Sequence, residues 1–172
     1  RKHWLDYIPM PGGDKATREP WRMALSYLQS TFGEIPLQLS CFEGLAEQTL
    51  RLTCQAMAGS INSPLASSCG RLFDAVASII GLRQIVSFEG QAAMELEMLA
   101  DPGQTRAYHC QLSDADGQVI CDPAPIIEAI VKDKLCGIGA EHIAGRFHLS
   151  LAIMIEEVCA HLQRQTGLKQ VV

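Results

Sequence analysis

The sequence predicts a predominantly helical α+β fold, six helices and one small β-hairpin, and three observations carry that expectation. Apolar residues recur at three- and four-residue spacing through most of the chain. The period switches clearly to two only once, where RAYHCQLS and QVICD flank the turn sequence DADG. Of the 172 residues, 48% are hydrophobic and 19% charged, a composition that can fill a core and does not suit a disordered chain.

The opening RKHWLDYIPMPGGDKAT holds two prolines and a Gly-Gly pair and reads as a loop. Thr17 is a candidate cap for a first helix reaching about Leu28, with Trp21, Leu25 and Leu28 on its apolar face. Pro20 is tolerated there because first-turn amides have no intrahelical partner. GEIPLQ interrupts the pattern. Ser40 and Glu43 have capping-box spacing for a second helix that ends near Gly59, and SINSPL then turns. SSCGRLFDAVASIIG reads as a third helix, capped by Ser67 and stopped by Gly81, with Leu72, Val76 and Ile79 at helical spacing. A fourth starts around Ser87 and ends at DPGQ. After the hairpin, Asp122-Pro123 starts a fifth that ends near Cys136-Gly137. The sixth and longest runs from about Ala140 to Gln165, with Ile143, Phe147, Leu151, Ile155, Val158 and Leu162 expected to face inward. No linker divides the chain, so residues 1–172 are expected to form a single module.

A formal net charge of −5 and the lack of a basic stripe argue against a nucleic-acid partner. No apolar run approaches the length of a membrane span and no signal peptide precedes the first residues, so no membrane is expected. The chain begins with Arg1 rather than Met, which suggests a piece of something longer. Seven cysteines are scattered singly, without a CxxC or zinc spacing. They read as reduced thiols in a cytoplasmic protein.

Three places could carry chemistry. Asp74 interrupts an apolar helix and has small neighbours at Gly70, Ala77 and Ser78, which would leave a groove beside it. A carboxylate in such a groove can accept hydrogen bonds from two sugar hydroxyls; it could equally be a solvated helix position. Gly90 would fall in the first turn of the helix starting at Ser87, where free N–H groups favour anions and no side chain blocks the backbone. Its alternative role is close helix packing. The loop PGGDKATREPWR gathers Lys15, Arg18 and Arg22, which could hold an anion or a partner's carboxylate, unless Asp14 and Arg18 simply pair. The five histidines show no metal spacing, and His148 reads as a packed or capped side chain. No GxSxG, Walker loop or GxGxxG is present.

Four blocks, PMPGGDKATREPWRMAL, NSPLASSCGRLFDAVASIIG, SFEGQAAMELE and IAGRFHLSLA, resemble in order and spacing the NiFe-hydrogenase maturation carbamoyltransferase family, HypF. The similar region is the late part of that enzyme, an actin-like ATPase (ASKHA) fold shared with the Kae1/TsaD-like threonylcarbamoyl transferases. The resemblance implies a carbamoyltransferase using carbamoyl phosphate and ATP. Carbamoyl adenylate is made in one domain, and the last domain passes the carbamoyl group to a C-terminal cysteine of a HypE-like maturation partner. In the sister family, the Asp of GEAFDK and a glycine of YPGG hold the nucleotide. Motif on motif, those roles fall on Asp74 and Gly90, although SFEG replaces YPGG and the joining segment is longer here.

The resemblance also implies that the metal-binding histidines precede this chain and that the phosphate-contacting glycine loop and last metal carboxylate follow Val172. No catalytic residue or metal ligand is therefore expected within it, and the chain alone is expected to be inactive. It would supply the nucleotide-binding wall of the site. The competing reading is a non-catalytic helical protein-interaction module.

Overall fold

In a computed structural model of the chain, residues 4–34, 39–115, 118–167 and 170 are described. Pro20 decides how the first helices are divided. It disfavours the helical region for the residue before it, and Glu19 sits at φ −123°, ψ 77°. The chain therefore makes a short α1 (Lys15–Arg18), breaks, and restarts as α2 (Pro20–Phe32), which ends at Gly33 in the left-handed region, φ 72°. Thr17 is thus inside α1 and caps nothing; its hydroxyl donates back to the Asp14 carbonyl. Ser40 and Glu43 form no capping box either. Ser40–Phe42 is a 3₁₀ turn, Gly44 takes φ 80°, and α3 (Glu47–Ala58) starts later but stops at Gly59 as expected.

The turn before the third expected helix holds Ser60 and Asn62 at positive φ. Helix α4 (Cys69–Ile79) follows, with Ser68 rather than Ser67 at its cap position, and Gly81 past its end at φ 88°. Ser67 instead donates its hydroxyl to the Leu5 carbonyl. Helix α5 (Gln91–Leu99) begins four residues after Ser87. Helix α6 (Ala124–Leu135) starts where Asp122-Pro123 indicated, with Asp122 Oδ1 accepting from the Ala124 amide at 2.9 Å. Helix α7 (Ala140–Thr166) has the expected length.

The hairpin forms from β4 (Gln111–Ala115) and β5 (Gln118–Asp122), paired Leu112 to Cys121 and Ser113 to Ile120. Its turn residues, 116 and 117, lie outside the described set, as do His3 and residues 35–38 of GEIPLQ. Three short strands were not expected. β1 (Trp4–Leu5) adds to β5 in parallel, and β2 (Ile8–Pro9) pairs antiparallel with β3 (Leu65–Ala66). Together they fasten the opening segment across the helices.

Helices α2 and α4 lie side by side at the centre, with α5 and α6 against α4 and α7 against both α5 and α6. Met23, Leu25, Leu28, Leu72, Val76 and Ile79 fill that centre and are fully buried. Phe73 meets Phe147 of α7 edge-on, ring centroids 5.0 Å apart, a favoured aromatic geometry. Ile143, Phe147 and Leu151 face inward as expected, but Ile155 is 57% exposed. Val158 and Leu162 are half-buried, and the far end of α7 meets β4 through polar contacts of His161 and Gln165 with Asp114, so periodicity alone overstated the buried length.

Candidate functional site

The cap at Ser68 sets the rotation of α4. Ala75, Val76 and Ile79 then face the core, and Asp74 is drawn in with them, its side chain only 6% exposed. Asp74 Oδ2 lies 2.9 Å from Arg71 Nη1, one turn back on the same helix. An i,i+3 pair shares a helix face, yet neither atom makes an aligned hydrogen bond. Burial pushes the Asp74 carboxyl up to about 6, with the Arg71 charge pulling it partly back. At neutral pH the group is mostly an ionised acceptor in a poorly solvated place.

Only part of the expected groove is there. Ala77 and Ser78 are fully buried beneath the turn that follows α4. The Leu82 amide bonds the Ala77 carbonyl at 2.9 Å, and the Ser78 hydroxyl donates to Gln84 Oε1. Gly70 does face open space, since a Cβ there would touch nothing but Ser68 Oγ at 3.5 Å. On the Arg71 side, a cleft of about 670 Å³ is lined by Thr17, Arg18, Arg71 and residues Val86 to Glu89, without Gly70 or Asp74.

The second expected element borders this cleft in a different conformation. Gly90 is not in the first turn of α5 but at its cap, in the left-handed region at φ 79°. A residue with a Cβ resists that region, and no heavy atom lies within 4 Å of where the Cβ would be. The glycine thus serves the turn into α5 and leaves open space above it. Ser87 does not cap the helix; its amide donates to Gln91 Oε1 at 2.7 Å. The segment is pinned from two sides, by the Val86 amide on the Arg18 carbonyl at 2.9 Å and by a two-pronged Arg83–Glu95 pair at 2.6 and 2.7 Å.

The three basic residues of the first loop separate. Arg18 alone reaches the cleft. Lys15 is exposed at the start of α1. Arg22 bonds Glu19 and stacks over Trp21, 4.4 Å from the ring centroid, beside Pro11 and Gly12 in a separate groove. No Asp14–Arg18 ion pair forms among the described residues. His148 is packed as expected, its Nδ1 at 2.8 Å from the Ala144 carbonyl oxygen and its ring against Phe73. All seven cysteines are free, and burial raises the Cys41 thiol to about 12, unlike a reactive thiolate. Among the described residues, no three His, Cys, Asp or Glu side chains are placed to hold a metal ion.

Arg71 and Phe88 are the cleft residues that sequence reasoning passed over. The Arg71–Asp74 spacing was a usable signal for the first. Phe88 carried none, because its 55% exposure depends on how the 86–90 segment is pinned.

A family model described as carbamoyltransferase, Kae1-like domain, second subdomain, matches residues 1–172. Carbamoyltransferase HypF of Rhizobium leguminosarum bv. viciae is 37% identical over 167 residues, covering 95% of this chain and 20% of that protein. HypF of Rhodobacter capsulatus is 40% identical over 156 residues, covering 88% of this chain and 19% of that protein. A crystal structure of full-length HypF in a phosphate- and nucleotide-bound form superposes with a TM-score of 0.86. It is 30% identical and covers 96% of this chain and 26% of that one. The chain thus spans about a fifth of the length of the curated relatives it matches.

Proposed function

The chain belongs to the carbamoyltransferase HypF family, and from that premise we propose that it forms the nucleotide-binding wall of the carbamoyl-transfer site. In this reading carbamoyl adenylate, made from carbamoyl phosphate and ATP, docks in the cleft beside α4. The C-terminal cysteine thiol of a HypE-like maturation partner then takes the carbamoyl group, and AMP leaves. The product would serve NiFe-hydrogenase maturation in the cytoplasm.

The observation that carries the reading is the buried, ionisable Asp74, paired with an Arg71 that lines an open cleft. A carboxylate can accept from both ribose hydroxyls at once, and its low-dielectric setting strengthens each bond. Gly70 and Gly90 carry no side chain to crowd a planar base, and Phe88 on the cleft lining offers a face to stack on. The nucleotide named with the solved relative points the same way. Lys15, Arg18 and Arg22 were the basic candidates for an anion or partner contact. The cleft supports Arg18 in the first role and leaves Lys15 and Arg22 for the second.

The family's metal ion does not fit the residues described here, so no step through a metal is assigned to them. No residue of this chain is given a catalytic role, and by itself the chain should not transfer carbamoyl groups.

Titrating AMP into ¹⁵N-labelled protein tests the reading. Amide shifts should concentrate in residues 70–78 and 87–91. Saturating AMP with no shifts there would instead favour a helical interaction module.

A further inference from the structure

The side chains of Asp74 and Arg71 are only 6% and 14% exposed, and Oδ2 and Nη1, 2.9 Å apart, are shielded from solvent. A carboxyl group removed from water to this degree takes up a proton readily unless a cation stands beside it. The other charged groups on the elements packed against α4 are engaged elsewhere. On α2, Arg22 is held by Glu19, and on α5, Glu95 is held by Arg83. Lys134 of α6 donates to the Ile80 carbonyl past the far end of α4, and Asp133 pairs with Arg146 of α7. His148 of α7 packs on Phe73 and bonds the Ala144 carbonyl. Burial pushes the Tyr27 phenol and the Cys69 thiol up, so both stay neutral. Among the described residues, Arg71 is thus the charge that acts on Asp74.

The helix itself sets this pairing. Residues three apart share a helix face, so the guanidinium reaches Asp74 without help from another element. With Oδ2 against Nη1, the carboxylate is also restrained from turning about its side chain. Both effects matter for an acceptor. A protonated carboxyl presents an O–H donor and loses the charge that strengthens the bonds it accepts.

We infer that Arg71 is the positioning residue of Asp74, keeping the buried carboxylate charged and oriented as an acceptor, and that it acts on the ligand through Asp74 rather than by a contact of its own. This rests on the nucleotide reading above and adds to it the residue that keeps the acceptor ready near neutral pH.

The test compares wild type, Arg71→Gln and Arg71→Lys in two measurements. The first follows the Asp74 side-chain carboxyl carbon by NMR across pH without ligand. Its midpoint should rise by about one unit or more in Arg71→Gln, the scale of a lost neighbouring charge, and stay near wild type in Arg71→Lys. The second titrates adenosine, which carries the ribose hydroxyls and no phosphate. Arg71→Gln should bind it roughly threefold or more weakly than wild type at about pH 6.5 and nearly as well at about pH 8.5. Arg71→Lys should follow wild type at both. A midpoint unchanged in Arg71→Gln overturns the inference, as does adenosine binding weakened by the same factor at both pH values, the mark of a merely structural role. In either case the nucleotide reading stands. Wild type that binds no adenosine at either pH overturns the nucleotide reading, and this inference with it, whatever the midpoints do. If Arg71→Gln does not fold, Arg71→Met, of similar length and without charge, is held to the same outcomes.

Discussion

Asp74→Asn should weaken nucleotide binding by roughly ten- to a hundredfold, the effect of losing a charge-assisted hydrogen bond of about 1.5–3 kcal/mol. Asn offers one neutral acceptor and turns donors toward a ribose hydroxyl. The same substitution has a signature in stability that binding does not share. Burial raises the Asp74 carboxyl to about 6 from its ordinary value of 3.8. Between those values the folded state holds a proton that the unfolded state has released. Wild-type stability from this group is therefore full below about pH 4 and is lost as pH rises through about 6. A shift of this size corresponds to about 3 kcal/mol.

Asn does not titrate, so Asp74→Asn should gain about 3 kcal/mol relative to wild type between pH 4 and pH 7. The stranded Arg71 charge lowers the variant by an amount that does not change with pH over this range, so the slope isolates the carboxyl. Denaturant midpoints at the two pH values measure it. A difference that stays flat with pH would mean that Asp74 is solvated, and the buried-acceptor account would fail.

Gly145→Ala should destabilise the fold by about 1–3 kcal/mol, the usual cost of overpacking, although alanine is the better helix former by about 1 kcal/mol. Gly145 is buried within α7, and a Cβ there would overlap the Asp101 carbonyl oxygen and come within 2.7 Å of Gln104 Cγ. The obstacle is backbone, which cannot swing aside. That turn is anchored closely: the Asp101 amide bonds the Glu141 carbonyl at 3.0 Å, and Arg146 Nε reaches Gln104 Oε1 at 3.2 Å. Arg146 also donates to Asp133 Oδ2, which accepts from the Tyr108 hydroxyl as well, joining the segment after α5 to α6. Gly139→Ala is the control. There the crowding comes from the Glu141 carboxylate end, an exposed side chain that can move, so its melting temperature should stay near that of wild type. Equal melting temperatures for the two variants would contradict the close approach at Gly145.

The same contrast explains what could be read from the sequence. Helices α4, α6 and α7 were legible because each repeats a buried stripe over three or more turns. The α1–α2 break was encoded in Pro20, whose effect on Glu19 is as local as its tolerance in the first turn; the tolerance was weighed and the effect was not. Strands of two residues, such as Trp4–Leu5 and Ile8–Pro9, carry no period at all. They exist because distant partners, Ile120 and Ala66 among them, supply the ladder. At the site, Asp74 stood out as a charge in an apolar helix. Its partner, Arg71, looked like an ordinary surface cation, and the cleft needed the long-range bond from Val86 to Arg18 to exist. Gly90 was expected in the first turn of a helix and is instead its cap, in the left-handed region. A left-handed cap and a first-turn glycine look alike until the chain path is known.

A crystal structure of the protein with AMP tests the central claim most directly. The account predicts both ribose hydroxyl oxygens at hydrogen-bond distance, about 3 Å, from the Asp74 carboxylate. AMP bound elsewhere, with neither ribose hydroxyl in reach of Asp74, would contradict it.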